Sequence, residues 1–106
     1  MLDFVRVACA VPDVRVGDPL QNAWKHCAIL EKADAQKVDV LVFPELSLTG
    51  YTCQDLFFQD SLNDAALAGL RRVLNCSRLH PDVVAVVGLP VRLGCRMFNC
   101  AAVISG

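Results

Sequence analysis

The stretch Val40-Leu41-Val42-Phe43-Pro44-Glu45-Leu46 constrains the fold more than any other part of the chain. A run of apolar residues closed by a proline forms a short, almost wholly buried strand, of the kind found in parallel sheets whose two faces are covered by helices. Proline has no N–H to give to a ladder, so Pro44 marks the exit from the strand. Glu45 then stands at the carboxyl end of that strand, on the rim of an apolar wall. In open α/β sheets, ligands bind in the crevice outside such strand ends. Desolvation at such a rim prepares a carboxylate for proton transfer, which makes Glu45 the candidate catalytic residue, with its carboxylate expected to be largely shielded from water. On position alone, a strand-terminal glutamate that simply faces water is the somewhat stronger reading.

The remaining elements alternate around this strand. Phe4 to Ala10 is β-rich and ends at Pro12-Asp13. Asp18-Pro19 opens a helix: Asp18 can cap it, Pro19 suits its first turn, and Gln21 falls where a capping box would place it. Leu20, Ala23, Trp24, Cys27 and Leu30 recur at helical spacing, which puts Trp24 in the core. Val38 to Phe43 is the second strand. The segment from Ser47 to Asp55 is a loop, with Gly50 permitting a turn and Asp55 suited to bracing it. A second helix begins near Asp60 or Ser61, with Ala66, Leu67, Leu70, Val73 and Leu74 as its apolar stripe. Val83 to Leu89 forms a third strand ending at Pro90, and Met97 to Ile104 a fourth, with a turn around Gly94. The order β-α-β-α-β-β defines an α/β unit.

Composition narrows the function classes. Of the 106 residues, 55% are hydrophobic and 20% charged, which argues against disorder and for more apolar surface than so short a chain can cover. The last strand runs to Ser105-Gly106, where a hairpin turn would begin. Residues 1–106 are therefore expected to be the N-terminal portion of a single domain. The net charge is −1 with the signs intermixed, giving no nucleic-acid footprint. No apolar run approaches the roughly 20 residues needed to span a bilayer, and the N-terminus has no signal-peptide pattern. A cytoplasmic protein with no membrane and no nucleic-acid partner is expected. The six cysteines form no CxxC pair, and neither His26 nor His80 has a ligand at a metal-binding spacing, so no metal site is expected. Cys9, Cys27 and Cys100 fall in strand-like or helical runs, where reduced thiols pack as small hydrophobes.

Leu41-Val42-Phe43-Pro44-Glu45-Leu46-Ser47-Leu48-Thr49-Gly50-Tyr51 resembles the nitrilase superfamily of carbon–nitrogen hydrolases. The continuation Thr52-Cys53-Gln54-Asp55-Leu56-Phe57 is most similar to the glutaminase domain of the glutamine-dependent NAD synthetases, with Gln54 in place of the glycine common there. Val87-Gly88-Leu89-Pro90 and Met97-Phe98-Asn99-Cys100-Ala101-Ala102-Val103-Ile104 resemble the next two strands of that domain, in the same order. The resemblance implies the N-terminal part of a four-layer α-β-β-α sandwich and a Glu-Lys-Cys site. Glu45 matches the glutamate of that site, while the lysine and the cysteine would follow Gly106. None of the six cysteines matches the nucleophile's context, and Cys53 belongs to the variable part of the loop.

The activity the resemblance implies is hydrolysis of the glutamine side-chain amide. The released ammonia would serve ATP-dependent amidation of deamido-NAD. The glutaminase half would need no cofactor, and ATP and Mg would act in a synthetase domain absent from this chain. The implied partners are L-glutamine and the synthetase domain of the same full-length chain, in a homo-oligomer when complete. Tyr51 is a substrate-binding candidate that would line the glutamine pocket; packing of the loop against the sheet is the other reading. Asn99 could bond buried backbone near the site or lie on a solvated strand face. The 106 residues alone would be inactive, carrying one catalytic residue of three. Two alternatives remain: a stand-alone amidase of the superfamily acting on another small amide, and a non-catalytic interaction module that retains the fold.

Overall fold

A computed structural model of the chain describes residues 4–15, 17–50, 60–93 and 96–105. Its elements follow the order β1 (Val7–Cys9), α1 (Pro19–Ala35), β2 (Val40–Val42), α2 (Asp60–Ser77), β3 (Val84–Leu93) and β4 (Arg96–Ser105). The four strands form one sheet in sequence order. β1, β2 and β3 run parallel, and β4 returns antiparallel along the whole length of β3.

Register explains how the core is assembled. Ala8, Leu41, Ala85 and Ile104 stand side by side across the sheet and point toward the helices. They pack against Ala23, Leu30 and Ala33 of α1 and Val73 of α2 in one cluster. One residue on, the row Cys9, Val42, Val86 and Val103 points the other way. Cys9 and Val103 in that row are exposed, and Val42 and Val86 are half-buried. Among the described residues, then, helices cover one face of the sheet rather than both. The opposite face is apolar yet open to water.

Asp18 caps α1 by accepting from the Gln21 N–H at 3.2 Å, and Pro19 occupies the first turn, as the sequence predicts. The buried stripe of α1 is rotated from the expected one. Asn22, Ala23, His26, Cys27, Leu30 and Ala33 face inward, whereas Leu20 is 40% and Trp24 56% exposed. Two polar residues thus take inner positions that apolar periodicity assigns to Leu20 and Trp24. Trp24 lies instead under Arg72 of α2, whose guanidinium carbon is 4.8 Å from the ring centroid, in a cation–π contact. In α2, Ala66 and Val73 are buried as expected, but Leu67 is 46% exposed.

Two further expectations are corrected. Cys27 and Cys76 are joined by a disulfide across the α1–α2 contact, with Cα atoms 5.9 Å apart, so the cysteines are not all unpaired thiols. Cys9 is a free and exposed thiol and Cys100 a free, half-buried one. The third strand does not stop at Pro90 but runs on to Leu93. Val84, Val86 and Gly88 turn their backbone polar groups toward β2 and the segment that follows it. Pro90, two residues further along, has its nitrogen on that same side, where β2 has already ended. Its missing N–H therefore removes no bond to β4.

Candidate active site

The carboxyl end of β2 leads into a tight turn. The Phe43 N–H extends the ladder by donating to Val86 O at 2.9 Å, and Pro44 then ends it. Ser47 N–H donates to Pro44 O at 3.2 Å, and the N–H groups of Thr49 and Gly50 both donate to Leu46 O, at 3.1 and 2.7 Å. Leu46 adopts φ 53° and Gly50 φ 88°. A residue with a side chain held in the left-handed region costs about 1–3 kcal/mol and persists only where its surroundings impose it.

Those surroundings are β3 and α1. A Cβ on Gly88 would lie 2.5 Å from Leu46 N, 2.6 Å from Pro44 O and 3.0 Å from the Glu45 carbonyl carbon. Only glycine lets the two backbones approach this closely. Leu48 N–H donates to Gly88 O at 3.1 Å, and Gly88 N–H donates to Ser47 Oγ at 3.3 Å. From the helix side, the fully buried His26 brings Nε2 to 2.9 Å from Ser47 Oγ, with Nδ1 2.6 Å from Asn22 O. Burial pushes the His26 pKa below its ordinary value, with the bond to the Asn22 carbonyl opposing that shift. Asn22 Nδ2 donates to Leu48 O at 2.8 Å, and the His26 ring meets Phe43 with centroids 4.2 Å apart.

Glu45 stands at the end of the second strand, as the sequence predicts, on the outer side of this turn and beside the third strand. Shielding does not follow. Ser47, Leu48 and Thr49 are buried and occupy the inward side, which leaves the Glu45 side chain exposed. Its carboxylate reaches β4, where Asn99 Nδ2 donates to Oε1. Asn99 is itself exposed and therefore neither bonds buried backbone nor merely faces solvent. Tyr51, Cys53 and Asp55 lie outside the described residues. No group of three or more His, Cys, Asp or Glu side chains able to hold a metal occurs among the described residues.

Periodicity hides the His26–Ser47 link, because helix position 26 and turn position 47 are brought together only by the fold. A usable signal exists nonetheless: Asn22 and His26, four residues apart, lie on the same helical face as Ala23, Cys27 and Leu30. Polar residues on a core-facing stripe need partners. A cleft of about 640 Å³, lined by Phe4, Arg6, Asp34, Lys37, Val38, Asp39 and Asp82, lies at the opposite, amino end of the strands. Arg6 there is engaged with Asp39 Oδ2 through its N–H and with Gln36 O through its guanidinium. The cleft contributes nothing to the Glu45 end.

A mixed α/β sheet with a glutamate on a constrained turn after its second strand sets a carboxylate where α/β proteins bind their ligands. The chain matches the model of the carbon-nitrogen hydrolase family over residues 6–106, and it belongs to that family. It is 43% identical over 105 residues to the glutamine-dependent NAD(+) synthetase of Mycobacterium bovis, with 95% of this chain and 15% of that protein covered. The corresponding protein of Xylella fastidiosa is 35% identical over 105 residues, covering 98% of this chain and 19% of that one. Among solved structures, the glutamine-dependent NAD(+) synthetase of Cytophaga hutchinsonii superposes with a TM-score of 0.81 at 26% identity, over 95% of this chain and 17% of that chain. An amidase from Nesterenkonia sp. shares the fold, with a TM-score of 0.81 at 24% identity over 95% of this chain and 38% of that one. The chain thus spans less than a fifth of the length of these curated relatives.

Proposed function

We propose that this chain is the N-terminal part of the glutaminase domain of a glutamine-dependent NAD synthetase, with Glu45 as its general base. The observation that carries the reading is the 43% identity to such a synthetase across 95% of the chain. The position of Glu45, on a held turn at the carboxyl end of a parallel strand, supports its role. A cysteine and a lysine from sequence after Gly106 would complete the site, and Tyr51 would line the glutamine pocket. Glu45 would take the proton from the cysteine thiol as sulfur attacks the amide carbon of L-glutamine. It would return that proton to the nitrogen as the C–N bond breaks and ammonia leaves. Water would then attack the thioester, giving up a proton to Glu45; the C–S bond breaks, glutamate leaves and the cysteine sulfur takes the proton back from Glu45. The lysine would stabilise the oxyanion in both steps.

The ammonia would be used in the synthetase part of the same polypeptide, where ATP and magnesium act; no step at Glu45 passes through them. Among the described residues no helix is long and apolar enough to cross a membrane, and the proposed location is the cytoplasm. In the complete protein the domain would assemble as a homo-oligomer. A stand-alone amidase is the less favoured reading, since the amidase likeness at 24% identity concerns the fold alone.

The test is isotopic. The complete protein, given glutamine labelled with ¹⁵N in the side-chain amide, ATP and deamido-NAD, should place the label in NAD. Release of labelled ammonia with no labelled NAD would identify a stand-alone amidase, and release of neither a non-catalytic module.

A further inference from the structure

We propose that His26 is a positioning residue for Glu45, acting through the Ser47 hydroxyl and the Gly88 amide to hold the Pro44–Gly50 turn. The inference rests on Glu45 being the proton carrier.

With the ring neutral, the hydrogen-bond partners give each group one role. The partner of His26 Nδ1 is the Asn22 carbonyl oxygen at 2.6 Å, and a carbonyl only accepts, so Nδ1 carries the proton. Burial favours the neutral ring, in which Nε2 is an acceptor and its partner at 2.9 Å, Ser47 Oγ, is the donor. Ser47 Oγ in turn accepts from the Gly88 N–H at 3.3 Å. The chain therefore has one direction, from Gly88 N–H through the serine O–H to the imidazole and on to the helix carbonyl. His26 and Ser47 are 0% and 2% exposed, so these bonds are shielded from bulk water. In a charged imidazole Nε2 would donate to the serine oxygen and turn the serine proton away, so this direction belongs to the neutral ring that burial favours.

What α1 grips is the immediate frame of Glu45. The ring of His26 packs on Phe43, two residues before it. Nε2 bonds Ser47, two residues after it. Asn22 Nδ2, one turn earlier on the same helical face, bonds the Leu48 carbonyl. Between these holds lies Leu46, in a left-handed conformation that its own chemistry disfavours. A core histidine that served only stability would have no need to converge with its neighbours on both flanks of a single exposed carboxylate. Misplacing a catalytic group by about 1 Å can cost roughly 10²-fold in rate.

The experiment uses the complete protein with four single variants, His26→Leu, His26→Gln, Ser47→Ala and Glu45→Gln, and the double variant H26L/S47A. Glutamine hydrolysis (kcat and KM), NAD synthesis from ammonium, and thermal unfolding are measured for each. Ser47→Ala and His26→Leu should lower kcat for glutamine about 10- to 100-fold with KM changed less than about threefold and ammonium-dependent synthesis retained. The double variant should be no worse than the poorer single one, because both changes break one link. His26→Gln, whose Oε1 can accept from the serine hydroxyl, should recover most of the lost rate. If His26→Leu does not fold, Ser47→Ala and His26→Gln carry the comparison. Turnover within twofold of wild type in Ser47→Ala, or loss of both activities together with a lowered melting temperature, would overturn the positioning role. Retained glutamine turnover in Glu45→Gln would overturn the base assignment instead, whatever the other variants do.

Discussion

Gly88 shows how narrowly the site's backbone is defined. β3 approaches the Pro44–Leu46 segment so closely at Gly88 that a Cβ would meet backbone atoms rather than a side chain that can rotate away. Gly88→Ala should therefore displace the Glu45 turn, at a cost of about 1–3 kcal/mol in stability from forced backbone movement. Glutamine hydrolysis by the complete protein should fall more than that stability loss explains, read as activity against unfolding midpoint on the same preparation. Wild-type activity in Gly88→Ala would mean that the turn and β3 can separate without moving Glu45. The position of Glu45 itself was legible in the sequence, because the end of an apolar run and a proline are local signals. Its exposure was not. Which side of a turn a residue occupies depends on what holds the turn, and His26, Asn22 and Gly88 are all distant in sequence.

At the scale of the elements, α1 departs most from a reading by periodicity. The apolar stripe places Leu20 and Trp24 inside, yet they lie on the flank while Asn22 and His26 face the sheet. Hydrophobic spacing cannot distinguish the two rotations, which differ by a fraction of a turn. The polar residues decide it, because their partners exist only on the inner side. The difference can be measured by thermal or denaturant unfolding. Leu30→Ala should cost about 2–5 kcal/mol, as a fully buried leucine does. Trp24→Ala should cost only about 1 kcal/mol, the range of an exposed cation–π contact with Arg72. A Trp24→Ala loss as large as that of Leu30→Ala would show that the expected stripe was right after all. The strands behave similarly. The parallel setting of β2 was legible, whereas the run of β3 through Pro90 depends on β2 ending early on the side where proline lacks its N–H.

For the molecule as a whole, the α/β class and the element order were legible because alternating strand and helix patterns admit few topologies. The open face of the sheet was foreshadowed only by the high apolar fraction, since burial of a face depends on what packs against it. Val7 and Val103, at 58% and 69% exposure, mark that face. Membership of the carbon-nitrogen hydrolases assigns the chain to a larger chemistry, in which Glu45 is the one proposed catalytic group it supplies. Glu45→Gln in the complete protein tests this most directly, because glutamine keeps the size and much of the hydrogen bonding of the side chain but cannot take a proton. Loss of a general base commonly costs about 10²–10⁴-fold in rate, so NAD synthesis from glutamine should fall by that factor. Synthesis from free ammonium, which bypasses the amide-cleaving site, should stay at the wild-type rate. A glutamine-dependent rate within a few-fold of wild type, or an equal fall in both rates, would contradict the role of Glu45 as the base.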